Sequence, residues 1–311
     1  MRLLWTLAKV GFHLKLQALQ LRDLGFAGYL QWHRVLMDAW RKERRNRSAY
    51  QVLNEAETRA ARKSDTVFIF GSGYSLNDIS PDEWRHFEAH DTLGFSGFIY
   101  EKWIRVDYHL IRAWVEVKAG VFNWRAHAQQ FTDILNANVL FCDTILILQG
   151  EYLAQFCNAL IGYGFLRPGT RLFRYATARG TKVPTRRLGD GLCHTVGTLS
   201  DAVNFAYCLG WKNIVLVGVD LYDSRYFWLK SNETLDVDDA TGVLMSAEVN
   251  IRGRRFDQAH NTACNGAVQI MDEWRRVFER NGVRLSVYNP RSLLVDVLPV
   301  YAHPPARSTA G

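Results

Sequence analysis

The sequence predicts an α/β protein: a Rossmann-like, mostly parallel sheet with helices on both faces, a small lid insertion and an N-terminal helical extension. Its clearest strand is residues 214–217, an apolar run without alternation, which is typical of a strand buried on both faces of a parallel sheet. A helical pattern at residues 198–208 precedes this run. Another apolar run, at residues 66–70, leads into a glycine-rich turn and the start of a helix, as in proteins built from alternating strands and helices.

The composition is that of a folded chain. Its 311 residues, 48% of them hydrophobic and 22% charged, suffice for a full core in one large domain or two modest ones. The formal net charge is +7, which favours anionic partners such as nucleotides, nucleic acid or anionic lipid.

The cysteines and the hydropathy pattern indicate the compartment. The five cysteines are odd in number and form no CxxC pair, which argues against a disulfide framework or structural zinc site and favours a reducing cytoplasm. No apolar run approaches the roughly 20 residues of a membrane span. Lys9, His13 and Lys15 interrupt any apolar core of a signal peptide. We therefore expect a cytoplasmic protein.

Residues 1–45 are predicted to be helical, in one or two segments, with a break marked by Gly25 and Gly28. Apolar residues recur at steps of three and four on two opposite faces, with basic residues between them. One face can pack on the protein's own domain. Two tryptophans and a basic cluster at residues 41–47 suit anionic headgroups. Membrane attachment, a homo-oligomer and packing within the chain all stay open.

The remaining elements divide the chain. A polar, exposed helix is predicted at residues 46–64. Strands are predicted at residues 66–70, 93–95, 108–111, 139–141, 144–148, 214–217 and 284–287. The lid is expected in about residues 151–190, which are rich in Gly, Arg and aromatic residues, and in residues 229–259. The expected segments are an extension at 1–62, a Rossmann-like domain at 63–301 and a disordered tail at 302–311.

A glycine-rich turn marks one part of the candidate site. Gly71, Ser72, Gly73 and Ser75 follow the strand at residues 66–70. Such a turn between a strand and a helix can present backbone N–H groups to a phosphate. It is not a P-loop, because it lacks the GK[ST] ending, and it lacks the third glycine of the dinucleotide fingerprint.

A polar turn follows the strand at residues 214–217. Gly218 lets the backbone turn or approach a ligand closely, and Asp220, Tyr222 and Tyr226 come after it. Ligands of open α/β sheets bind outside the carboxyl ends of the strands. We therefore expect a carboxylate and two phenols at a binding site.

Two further features could carry chemistry. Residues 236–239, Asp-Val-Asp-Asp, contain the DxD pattern with which many sugar transferases hold a metal. Their turn-like composition and the lack of a clear preceding strand favour an acidic surface loop instead. His260 stands at a junction between a loop and an amphipathic helix that ends near residue 281. A neutral imidazole there could accept a proton near neutral pH.

Three segments together resemble the bacterial sialyltransferase-like family, which uses CMP-activated sugars, and the related motility-associated flagellin glycosyltransferases. They are residues 71–76 (GSGYSL), residues 195–226, and residues 260–294 from His260 to Asn-Pro-Arg-Ser-Leu-Leu. Their order and spacing suit the family. The resemblance covers roughly residues 66–298 and leaves the first 60 residues outside.

The resemblance implies an activity and a role for each residue. It implies transfer of an acidic sugar from a CMP donor to a glycan or glycolipid acceptor, without a metal or other cofactor. His260 would be the general base for the acceptor hydroxyl, and Tyr222 and Tyr226 would hold the departing phosphate. The remaining residues would line the nucleotide or reach toward the site: Gly71, Ser72, Gly73, Ser75, Thr195, Gly197, Gly218, Asp220 and Ser292.

Three positions depart from the family's pattern. Ser72 stands where the family often has Asn, Cys193 where it usually has Arg, and Ser96-Gly97 where it has a second Asn. The sugar stays open among sialic acid, Kdo and another nonulosonic acid, and so do the acceptor and linkage. The implied setting is lipopolysaccharide or capsule synthesis at the inner face of the cytoplasmic membrane, with no nucleic acid as partner.

Two other functions stay open. A distant group with a similar glycine-rich turn transfers pyrophosphate to pterins. That reaction needs a metal, for which residues 236–239 would become central. A nucleotide-binding scaffold on a membrane surface is the non-enzymatic alternative. The presence of His260, Tyr222 and Tyr226 favours an enzyme.

Overall fold

A computed structural model describes residues 2–112, 124–222, 225–230, 233–237, 244–248 and 261–302. Its twelve strands are β1 (Gln51–Leu53), β2 (Thr66–Phe70), β3 (Asp91–Phe95), β4 (Tyr108–Ile111), β5 (Ile145–Gln149), β6 (Arg171–Tyr175), β7 (Thr177–Ala178), β8 (Leu192–Cys193), β9 (Asn213–Val217), β10 (Glu233–Val237), β11 (Leu244–Glu248) and β12 (Arg284–Val287). The helices are α1 (Arg2–Asn46), α2 (Glu55–Ala60), α3 (Pro81–Glu88), α4 (Trp124–Ala137), α5 (Gln155–Gly162), α6 (Thr198–Leu209), α7 (Asn261–Cys264) and α8 (Ala267–Glu279).

Eight strands form one sheet, in the order β1-β6-β5-β4-β3-β2-β9-β12. Every neighbouring pair in it is parallel. Two small pairs stand apart from it, β7 with β8 and β10 with β11. The predicted fold class is confirmed.

Helices cover both faces of the sheet and form two apolar cores. Side chains alternate along β2, so Val67 and Ile69 join one core, with α6 and α8. Phe68 and Phe70 join the other core, with α3, α4 and α5. Residues 214–217 of β9 are buried, as their continuous apolar run predicts.

Several local predictions differ from the structure. Residues 46–64 include β1, which pairs with β6 at one edge of the sheet, so the predicted extension contributes a strand to the central sheet. Residues 139–141 form a short 3₁₀ helix instead of a strand. β1 and residues 139–141 are each only three residues long, too short to show a hydrophobic period, so tertiary contacts decide their structure.

Part of the predicted lid belongs to the core. Residues 151–190 contain α5, which is buried along nearly its whole length, and β6, which lies between β1 and β5. Glycines and arginines around α5 and β6 obscure the hydrophobic pattern of these elements in the sequence. Of the second lid segment, residues 229–230, 233–237 and 244–248 are described, and they include the antiparallel pair of β10 and β11. The predicted tail lies, except for residue 302, outside the described residues.

Helix α1 breaks at Gly25, where the backbone is non-helical (φ 66°, ψ 173°), as its sequence predicts. After the break, α1 packs against α5, and Leu36 and Ala39 are buried. A Cβ on Gly162 would lie 2.8 Å from the Glu43 amide nitrogen, so glycine permits this close contact. Glu43 is buried, pairs with Arg47, and lies 3.7 Å from Arg174 of β6. Among the described residues, no helix is long and apolar enough to cross a membrane.

Candidate functional site

The order in which successive strands are added to the sheet reverses between β2 and β9. From β2 the chain proceeds through β3, β4 and β5 to β6, and β9 then returns to the other side of β2 and leads to β12. The carboxyl ends of β2 and β9 therefore lie at a topological switch point, which is where open α/β sheets usually bind ligands. Both turns that the sequence singles out lie here.

The glycine-rich turn after β2 is bound closely to β9. The Gly71 amide donates to the Val217 carbonyl and the Gly73 amide to the Gly218 carbonyl, each at 2.8 Å. A Cβ on Gly71 would lie 2.5 Å from the Gly218 oxygen. The glycines are therefore explained by close packing of two loops. The amides of Gly71 and Gly73 are therefore occupied by carbonyls of Val217 and Gly218.

Asp220 joins three loops. Its side chain is buried, and one carboxylate oxygen accepts a 2.9 Å hydrogen bond from the Ser75 amide. The other oxygen accepts from the Ser75 hydroxyl and, at 2.9 Å, from the Asn289 side chain. Asp220 thus holds the turns after β2, β9 and β12 together. Both oxygens of its carboxylate therefore contact the protein.

Ser292 strengthens the same junction. It is buried, and its hydroxyl donates to the Val219 carbonyl at 2.7 Å, while the Leu293 amide donates to the Asp220 carbonyl at 3.2 Å. The turn after β12 is therefore bonded to the turn after β9.

The two predicted tyrosines lie in the turn after β9. Gly73 and Tyr226 form an isolated antiparallel bridge, and the Tyr226 ring stacks on Trp228 with centroids 4.7 Å apart. Trp228 in turn stacks on Tyr100, also at 4.7 Å. Burial raises the pKa of Tyr226.

Tyr222 is half-buried and lies near a basic group. The hydrogen bond to Asp78 is the main cause of the raised pKa of Arg291, and the Tyr222 phenol adds to it. The Arg225 guanidinium carbon lies 4.1 Å from the centroid of the Tyr74 ring. Two guanidinium groups therefore stand beside the loops that the resemblance assigns to a phosphate, and a guanidinium is well suited to bind one.

Thr195 and Gly197 lie in the loop before α6, whose N-terminus is at the carboxyl edge of the sheet. Gly197 is the N-cap residue, with φ 70°, and no side chain caps the helix. Neither Thr195 nor Thr198 is therefore the N-cap residue of α6. The Ser200 hydroxyl accepts from the Thr195 amide at 3.0 Å. The Thr195 hydroxyl is buried with no partner among the described residues.

Several predicted residues cannot be placed. His260, Asp238 and Asp239 lie outside the described residues. Asp236 lies in β10, paired with Met245, so it belongs to a strand and not to a turn. In the described part of the chain, no group of three or more His, Cys, Asp or Glu residues could hold a metal ion.

A polar network missed by the sequence analysis lies at the same edge. Asp201, in the first turn of α6, is completely buried and lies 2.5 Å from His194 Nδ1. Its other oxygen accepts from Arg112, just after β4, at 2.9 Å. Arg112 also donates to Thr177 at 3.3 Å. His194 precedes Thr195 in a segment already singled out, but Arg112 is 89 positions from Asp201.

Comparison with known protein families and with curated proteins gives no match.

Proposed function

We propose that this protein is a glycosyltransferase that moves an acidic sugar from a CMP-activated donor to a glycan or glycolipid acceptor. The observation that supports it is the meeting of separate segments around Asp220. Much of the resemblance lies in the turns after β2, β9 and β12. These turns are hydrogen-bonded to one another at the point where the order of strands in the sheet reverses. The position is the usual one for a nucleotide in an α/β sheet.

The chemistry of this proposal needs few groups. The acceptor hydroxyl is a weak nucleophile, so a histidine must take its proton, and the resemblance implies His260 for that role. The departing CMP phosphate needs donors where its charge develops. Tyr222 and Tyr226 are proposed to supply them, with Arg291 near Tyr222 as a further cation. The sugar is sialic acid, Kdo or a related nonulosonic acid.

The proposed place of action is the cytoplasmic face of a membrane. A lipid-linked acceptor requires the enzyme to approach the bilayer. Several apolar residues of α1 are exposed on the described surface: Leu19, Leu21, Phe26, Leu30 and Met37. Exposed apolar residues with nearby basic residues are suited to an anionic membrane surface.

Thermal shift with a panel of nucleotides tests the proposal. CMP should raise the melting temperature more than UMP, AMP or GMP, because ligand binding to the folded state alone stabilises it. EDTA should not change the result. Tyr222→Phe and Tyr226→Phe should each lower CMP release from CMP-N-acetylneuraminate or CMP-Kdo by roughly tenfold or more, as loss of a transition-state donor does.

A matched control is Tyr163→Phe. Tyr163 follows α5, so it lies toward the amino edge of the sheet, and its removal should leave CMP release unchanged. Unchanged rates in both site variants and in their double variant would contradict the proposed roles. Stabilisation only by a nucleoside triphosphate with Mg²⁺ would favour the pyrophosphokinase, and nucleotide binding without any transfer would favour the scaffold.

A further inference from the structure

The network around His194 lies at the same carboxyl edge of the sheet as the proposed nucleotide site. His194 directly precedes Thr195, and α6, which begins after this loop, contacts β2, β3, β4 and β9. Arg112 follows β4, which is two strands from β2. At the usual spacing of strands this is about 10 Å, a separation on the order of one nucleotide. A ligand at the switch point could therefore extend to the network.

The Asp201 side chain is paired with a cation. It is completely buried, and the Arg112 guanidinium donates to one of its oxygens at 2.9 Å. A buried carboxylate paired with an arginine keeps its charge, because the guanidinium compensates for lost hydration. Its other oxygen lies 2.5 Å from His194 Nδ1. This oxygen can accept a hydrogen bond from an N–H group but cannot donate one.

This contact fixes the tautomer of His194. Because Asp201 only accepts, Nδ1 carries the proton, and in the neutral ring Nε2 holds the lone pair. The His194 side chain is 33% exposed while Asp201 is fully buried, so part of the ring is open to solvent. An imidazole oriented by a buried carboxylate is the arrangement of a general base.

We propose that His194 is the proton acceptor for the substrate hydroxyl, with Asp201 and Arg112 as positioning residues. This inference rests on the proposed function, since it names the base of that reaction in place of His260. The acceptor O–H gives its proton to Nε2, and the oxygen forms a bond to the anomeric carbon. The bond from that carbon to the phosphate oxygen breaks, and its electron pair leaves with CMP. Asp201 stabilises the resulting imidazolium.

The pH profile depends on the charged and titratable groups near the ring. Asp201 of α6 contacts the ring, Arg112 after β4 contacts Asp201, and Cys193 of β8 precedes His194 in the chain. Burial raises the pKa of the Cys193 thiol to about 11, so it stays neutral in the working range. The rate should fall on acidification as Nε2 takes a proton, because a protonated imidazole cannot act as base.

The experiment compares four variants of the full-length protein: His194→Gln, Asp201→Asn, His260→Gln and, as control, His33→Gln. His33 is a hydrogen-bonded histidine of α1, 2.8 Å from Gln17. The assay follows CMP release from CMP-N-acetylneuraminate or CMP-Kdo, with lactose as acceptor. His194→Gln should lower kcat by about 10²–10⁴-fold and remove the acidic limb of the profile. CMP affinity should change by less than about twofold, since only the chemical step is affected.

Asp201→Asn should lower kcat and alter the acidic limb, which a purely structural role would not do. Retention of kcat and of the acidic limb in His194→Gln would overturn the inference, as would a loss confined to His260→Gln. A wild-type protein inactive with both donors would count against the proposed function instead. Nitrogen NMR of the His194 ring then decides separately: the Nδ1–H tautomer supports the inference and the Nε2–H tautomer overturns it.

Discussion

At the scale of single residues, burial changes the pKa of one carboxyl group, that of Glu101. Glu101 is buried, and one of its oxygens accepts from the Trp103 and Ile104 amides at 2.7 and 3.1 Å. Its other oxygen has no partner among the described residues. Burial raises the pKa of Glu101 from 4.5 to about 7, against the opposing effect of the two amides.

Glu101 should make the protein less stable as the pH rises. Between pH 4.5 and about 7 the unfolded chain has lost this proton while the folded protein retains it, so the free energy of unfolding falls across that window. Glu101→Gln removes the titration. Its melting temperature should match that of the wild type near pH 4.5 and exceed it increasingly up to pH 7.

His109 changes stability with pH in the direction opposite to Glu101. Burial lowers the pKa of His109 to about 3, so its contribution to stability is lost as the pH falls below 6.5. Because wild type and Glu101→Gln share His109, the difference between their melting temperatures isolates Glu101. A difference that stayed constant from pH 4.5 to 7 would show that Glu101 titrates normally.

At the scale of elements, α1 has two parts with different surroundings. The part after Gly25 packs on α5, and Phe26, just after the break, is 70% exposed. Packing within the chain therefore accounts for one apolar face of α1. The exposed residues near the break stay available for the proposed membrane contact.

A charge on this surface should weaken membrane attachment. Phe26→Glu together with Leu30→Glu should reduce sedimentation with phosphatidylglycerol vesicles by roughly tenfold or more at low salt, because apolar insertion and attraction to anionic lipid are both opposed. High salt should weaken binding of the wild type. Val139→Glu is the matched control, since Val139 is also 70% exposed but lies beyond α4. Wild-type protein that ignores such vesicles at low salt would exclude this role for α1.

At the scale of the whole molecule, the first 62 residues do not form a separable extension. β1 pairs with β6 at the edge of the sheet, and Arg59 of α2 donates to the carbonyls of Cys208 and Leu209 at the end of α6. Removing these residues would expose an unpaired strand edge and the buried surface of α5, which promotes aggregation.

Two truncations test this division of the chain. Deletion of residues 1–24, before the break in α1, should leave a soluble protein whose melting temperature stays within a few degrees of wild type, about the effect of 1 kcal/mol or less. Deletion of residues 1–62 should yield aggregated protein. A soluble, cooperatively unfolding product of the longer deletion would show that β1 and α1 are dispensable for the core.

The sequence by itself determined the fold class, the strands with continuous apolar runs and the turns that follow them. Residues 214–217 show this most clearly, since burial on both faces leaves a local signature. Tertiary structure decided which turns meet and what each polar residue contacts. Asp220 was predicted at the site, but its bonds to Ser75 and Asn289 depend on the order of strands in the sheet. The contact of Arg112 with Asp201 spans 89 positions, and the β1 edge strand is only three residues long. Neither feature leaves a periodic pattern in the local sequence, because pairing across a parallel sheet is set by crossover connections and not by neighbouring residues.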